Sequence, residues 1–167
     1  MARFTQLLHE QYKTFQPCLE QLRALAAAAE ATPPASLQHE LEDVSDFLAN
    51  QLGLHIHIAD QVLYPLVEYL LATPDATAAM RNEHDEIRRL TDELLALCAT
   101  LTGEPLRPDQ TQALQLVLQD LATLVTAHLA KEETLYLPLL TAKLTPAADH
   151  GMLVVIEMVA GEAKDDP

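Results

Sequence analysis

Apolar residues recur along this chain at alternating steps of three and four, the period of a helix that buries one stripe of its surface. One series runs through Leu8, Tyr12, Phe15, Leu19, Leu22 and Ala26, and a second through Leu41, Val44, Leu48, Leu52, His55, Ala59 and Val62. A third takes Met80, His84, Ile87, Leu94, Leu97 and Leu101. The fourth takes Leu114, Leu118, Leu121, Val125, His128, Glu132 and Leu135. Proline-bearing breaks at Thr32 to Pro34, Thr73 to Pro74, Thr102 to Pro105 and Thr145 to Pro146 punctuate the pattern. The spacing predicts helices over about 4–30, from an N-capping Ser36 to about Pro65, from Pro74 to about Thr102, and from about Asp109 to Pro138. Four such helices on short loops predict an all-α protein, an antiparallel up-down four-helix bundle over residues 1–145. A short C-terminal fifth helix over 146–160 and a disordered acidic tail over 161–167 complete the expected architecture.

Polar residues interrupt these stripes at matching heights. His55, His84 and His128 stand in the apolar series, and His9 flanks the first of them. Each lies about 20 residues from the loop joining its helix to the neighbouring one, or roughly 30 Å at 1.5 Å per residue. The second and third helices match in height only if the chain leaves the bundle axis near Pro65, where a proline is expected to break the helix. The sequence also repeats itself here. His55 and His128 each precede a proline (Pro65, Pro138) by ten residues, with a carboxylate four or five residues after the histidine and then a Leu-Tyr. Positions i and i+4 share a helix face, so His128 and Glu132 can reach one ion. Buried imidazoles need partners, and a buried carboxylate costs several kcal/mol unpaired. A metal centre satisfies the four histidines and Glu132 together. Imidazole and carboxylate donors suit iron, manganese or zinc, and spacing alone does not choose among them.

These motifs resemble the hemerythrin-like, or HHE cation-binding, domain family. Its pattern is a histidine in the first helix, His-x3-Glu followed by an aromatic-Pro in the second, Glu-His in the third and His-x3-Glu in the fourth. Here the pattern reads Leu-Leu-His9-Glu, then His55 to Leu-Tyr-Pro65, then Asn-Glu-His84-Asp, then His128 to Glu132 with Pro138 beyond, and the likeness covers about residues 5–140. The resemblance implies a bundle enclosing two carboxylate-bridged irons that meet O2, peroxide or nitric oxide. It places His9 and His55 on one iron and His84 and His128 on the other, with Asp60 and Glu132 bridging.

Two positions depart from the family pattern. Ala59 stands where the second-helix Glu belongs, so Asp60, one residue on, is the expected substitute. Arg88 stands where oxygen-carrying members place a further third-helix histidine, which leaves a coordination position open and favours reaction or sensing over stable carriage. Alternatives are an iron-responsive sensor or metal buffer without turnover, and a degenerate member holding haem or a single metal. Among neighbouring residues, Tyr12 reads as a core tyrosine, Glu83 and Glu133 as solvated groups or partners that orient a histidine, and His57, His39 and His150 as surface histidines.

Composition narrows the partners. A formal charge of −15 argues against nucleic acid and against an anionic membrane surface. With no recognisable signal peptide and no run of about 18 apolar residues, a cytoplasmic monomer or homodimer is expected, with Cys18 and Cys98 as free thiols.

Overall fold

The computed structural model describes residues 3–165, with side chains for 3–161, and helix is the only regular structure among them. Helix α1 is Arg3–Ala28, α2 spans 34–71, α3 is Ala78–Cys98, α4 is Pro108–Lys143 and α5 is Pro146–Asp165. The predicted stripes form the core. Leu8, Tyr12, Phe15, Leu19 and Leu22 of α1 are buried, as are Leu41, Val44, Leu48, Leu52, Ala59 and Val62 of α2. Helix α3 buries Met80, Ile87 and Leu94, and α4 buries Leu114, Leu118, Leu121 and Val125. Helix α1 packs against α2 and α4, and α3 packs against α2 and α4, so the four long helices close a ring around this core.

Local chemistry moves several helix ends from their expected places. Helix α2 starts two residues before Ser36, with Pro34 in its first turn, where a missing N–H costs nothing. Pro74 does not open α3. A turn with Asp75 at φ 59 intervenes, and the helix begins after Thr77, whose buried hydroxyl donates to Glu68. Helix α2 also runs past Pro65 and ends at Ala72 in the left-handed conformation. The reason is a π-helical turn over Ala59–Leu63, in which the Tyr64 N–H bonds to the carbonyl of Ala59, five residues back. The carbonyl that the Pro65 ring would strike in an α-helix, four residues back at Gln61, lies in this widened turn. The same device recurs at Glu132–Tyr136, where Leu137 N–H bonds to the Glu132 carbonyl just ahead of Pro138. A third π-helical stretch covers Phe47–Leu52. The extra residue at 132–136 turns Leu135 out to 60% exposure, off the predicted stripe, and turns Tyr136 in.

Helix α4 is long and apolar enough to cross a membrane by length and composition, which the sequence reading did not anticipate. Here it serves as a core helix of the bundle, in contact with α1 and α3. Helix α5 lies across α1 and α2, and its Asp149 carboxylate accepts the backbone N–H groups of Arg3 and Phe4, each at 2.9 Å. Those N–H groups belong to the first turn of α1, which has no internal partners for them. Helix α5 continues to Asp165, through most of the stretch expected to be a tail, while residues 166–167 lie outside the described residues.

Candidate metal centre

The π-helical turns in α2 and α4 fall at the polar layer of the bundle. Helix α2 supplies His55, α3 supplies His84, and α4 supplies His128 and, one turn on, Glu132; all four are buried. Each offers one donor atom, and the four atoms lie within 4.8 Å of one another. Glu132 is the hub. Its Oε2 accepts from the Tyr12 hydroxyl at 2.7 Å and lies 3.2 Å from His55 Nε2. Its Oε1 accepts from the Tyr64 hydroxyl at 2.8 Å and lies 3.5 Å from His128 Nε2. His84 Nε2 and His128 Nε2 are 3.0 Å apart. Two donors bound side by side to one ion at about 2.0–2.1 Å sit on the order of 3 Å apart, so these separations suit a shared ion.

Outside the layer, each imidazole is held through its other nitrogen. His84 Nδ1 donates to Asp60 Oδ1 at 2.8 Å, and Asp60 in turn accepts from Arg88 at 2.6 Å, while Arg81 donates to the Asp60 backbone carbonyl. His128 Nδ1 donates to Glu83 Oε2 at 3.0 Å, and Lys131 pairs with the other oxygen of Glu83. His55 Nδ1 meets only the neutral amide oxygen of Gln11, at 3.2 Å. Such outer partners fix the tautomer and turn Nε2 inward as a donor.

The electrostatics follow from this wiring. Burial opposes the charge on Glu132, but His55 and His128 outweigh it and hold the carboxyl well below its usual range. Burial likewise works against Asp60 and Glu83, and their cationic and imidazole partners bring both below the ordinary carboxylate range. His84 and His128 separate: burial pushes His84 down despite Asp60, whereas for His128 the Glu132 and Glu83 bonds overcome burial and push it up. Their 3.0 Å contact requires a proton on one Nε2, and the opposed shifts favour His128 as its holder. Burial, then Glu132, raises both Tyr12 and Tyr64, so both hydroxyls keep their protons and donate.

One atom of the buried layer lacks a hydrogen-bond partner. His55 Nε2 is buried and, although 3.2 Å from Glu132 Oε2, makes no hydrogen bond of acceptable direction. A buried ring nitrogen aimed at a carboxylate and left unpaired is costly unless a cation sits before it. The residues present therefore fit a metal ion.

Of the sequence candidates, the structure brings His55, His84, His128 and Glu132 together and leaves two outside that group. His9 lies at the rim, 31% exposed, with Nδ1 2.7 Å from Glu133. Asp60 turns to the outer nitrogen of His84 and to Arg88. Glu83 orients His128, one of the two roles its sequence position allowed. Sequence reasoning passed over Tyr64 and Gln11. Nine residues on a regular helix put Tyr64 about 180° from His55, and only the π-helical turn between them brings it round. The Leu-Tyr with a proline close behind, shared by the two histidine motifs (Pro65 and Pro138), was the available signal, since a proline inside a continuing helix needs such a widened turn.

Neither the curated proteins nor the solved structures include a match to this chain. The profile of the hemerythrin HHE cation-binding domain matches residues 3–140, which takes in all four core helices up to Leu140 and every donor of the buried layer. On that match, with a buried histidine and carboxylate layer where the profile's name requires a cation, the chain belongs to the hemerythrin HHE cation-binding domain family.

Proposed function

We propose that this protein is a non-haem di-iron protein that binds or reacts with O2, peroxide or nitric oxide. The observation that carries the two-ion reading is the division of Glu132, whose Oε2 faces His55 and Tyr12 and whose Oε1 faces His128 and Tyr64. A carboxylate with a different donor set on each oxygen is arranged to bridge. His55 would hold one iron, joined by His9 when it leaves Glu133, and His84 and His128 would hold the other. Iron is the choice among the metals this donor set suits because of the family resemblance, and it would supply the redox chemistry toward the small ligand.

The chain's own residues do the rest. Phe15 meets the His55 ring edge-on, and with Leu52, Leu63 and Leu121 it belongs to the buried apolar core that would exclude water. Asp60 and Glu83 keep the inner nitrogens of His84 and His128 pointed at the ions. Tyr12 donates its phenolic proton to Glu132 Oε2, and in the ion-free chain Tyr64 donates to Oε1. Arg88 is committed to Asp60 and supplies no imidazole, which leaves room for that ligand. A cytoplasmic setting would keep Cys18 and Cys98 as the free thiols seen here.

A one-ion centre is the second reading. It is favoured by the 4.8 Å compactness of the four donors and by the engagement of His9 with Glu133 and of Asp60 with Arg88. The reactivity is tested on protein loaded anaerobically with ferrous iron and mixed separately with O2, hydrogen peroxide and nitric oxide. A new visible absorption with at least one of them is expected. Iron-loaded protein inert to all three would overturn the reactivity and leave a metal buffer or iron sensor.

A further inference from the structure

We propose that Tyr64 is itself a metal ligand, its phenol oxygen joining His84, His128 and Glu132 on one ion. The proposal rests on the reading of the buried layer as an iron site. Three of the four donors of that layer surround the Tyr64 hydroxyl: Glu132 Oε1 at 2.8 Å, His84 Nε2 at 3.1 Å and His128 Nε2 at 3.3 Å. With the 3.0 Å contact between the two imidazole nitrogens, these separations all suit neighbouring donors of one ion. Hydrogen bonding alone leaves the group overcrowded. The phenol donates its one proton to Glu132, and the unprotonated His84 Nε2 then faces the phenol oxygen with no proton between them.

The ring is placed firmly enough to serve. Tyr64 is fully buried, lies stacked on the His84 ring with centroids 5.1 Å apart, and meets Tyr136 edge-on at 5.9 Å. The guanidinium of Arg81 stands 5.4 Å from the ring centre, a cation that favours electron density on the ring. The π-helical turn over Ala59–Leu63 is what delivers the side chain, directly after the position where Ala59 supplies no carboxylate. Tyr64 thus replaces, from five residues further along the helix and across the π-helical turn, the anionic donor that residue 59 lacks. On binding, the oxygen–metal bond forms as the phenolic proton leaves to solvent, so one anionic oxygen is added and one proton released per ion. Tyr12 differs: its hydroxyl donates to Glu132 Oε2 and stands over the edge of the His55 ring, centroids 5.5 Å apart.

The test is ferric loading of the full chain, read by iron content and by visible and resonance Raman spectra. A phenolate bound to ferric iron gives a visible charge-transfer band with enhanced tyrosine ring vibrations. Wild type and Tyr12→Phe are expected to show both, and Tyr64→Phe is expected to retain iron while losing both. Wild-type protein that takes up iron without the band overturns the proposal and leaves the iron site standing, as does a band that survives in Tyr64→Phe or vanishes in Tyr12→Phe. Wild-type protein that takes up no iron overturns both. Should Tyr64→Phe fail to fold, isotopic labelling of tyrosine in the wild type reports phenolate ligation through the shift of the ring modes, and an absent tyrosine signal overturns the proposal.

Discussion

Asp60 shows how a single side chain changes meaning between sequence and structure. Spacing sets it near the ions, and resemblance makes it a bridge between them. In the structure its carboxylate reaches His84 Nδ1 at 2.8 Å and is itself held by Arg88 at 2.6 Å. A carboxylate, an imidazole and a cation in line raise the donor strength of the inner nitrogen, and removing such an outer partner typically costs about 10–100-fold in metal affinity. Asp60→Asn is therefore expected to weaken iron binding by roughly that factor while leaving the number of ions per chain unchanged, as checked by competition with a chelator of known affinity. A fall in stoichiometry would return Asp60 to the bridging role. His55, His84, His128 and Glu132 were legible in the sequence because each falls on an apolar stripe at a common height. Which ring nitrogen faces inward was not legible. That depends on partners such as Gln11, Glu83 and Asp60 on neighbouring elements, which a helical period does not register.

At the level of elements, the π-helical turns explain most of the distance between expectation and structure. Regular periodicity holds as far as Val62 in α2 and Glu132 in α4, and both series then gain one residue before a proline. Leu135 turns outward and Tyr64 turns inward for this one reason. Helix ends were less legible than helix cores, since caps are made by side chains from elsewhere. The start of α1 falls within a residue of expectation, but the side chain that closes its first turn, Asp149 of α5 through two 2.9 Å bonds, was not legible. Loss of a capping side chain costs about 1 kcal/mol. Asp149→Ala is expected to lower the melting temperature by roughly 2–4 °C, since each kcal/mol shifts a chain of this size by about that much. Calorimetry of the two proteins checks it. An unchanged melting temperature would mean that the cap adds nothing to holding α5 on α1.

On the scale of the whole molecule, the ring of four helices exists to surround a polar layer that a purely apolar core would not need. The all-helical class and the helix count were legible because four apolar stripes, each with its own break, leave few alternatives. The place of α4 in the bundle was legible from its stripe as well, although its length and apolar composition alone would also suit a membrane span. The charge of −15 surrounds the centre with a field that attracts cations and disfavours anions. An ion that binds only the folded chain stabilises it, by about 4 kcal/mol at a thousand times its dissociation constant. Fold and metal thus support each other. A buried Glu132 and an unpaired His55 nitrogen are tolerable features of a protein that carries its ion and costly ones in a protein that does not.

The central claim is that this buried layer holds iron, and elemental analysis of the purified, iron-supplied protein addresses it most directly. About two irons per chain are expected, falling to near none in Glu132→Ala, which removes the carboxylate shared by both halves of the site. Wild-type protein without iron, or a Glu132→Ala protein that keeps it all, would contradict the account.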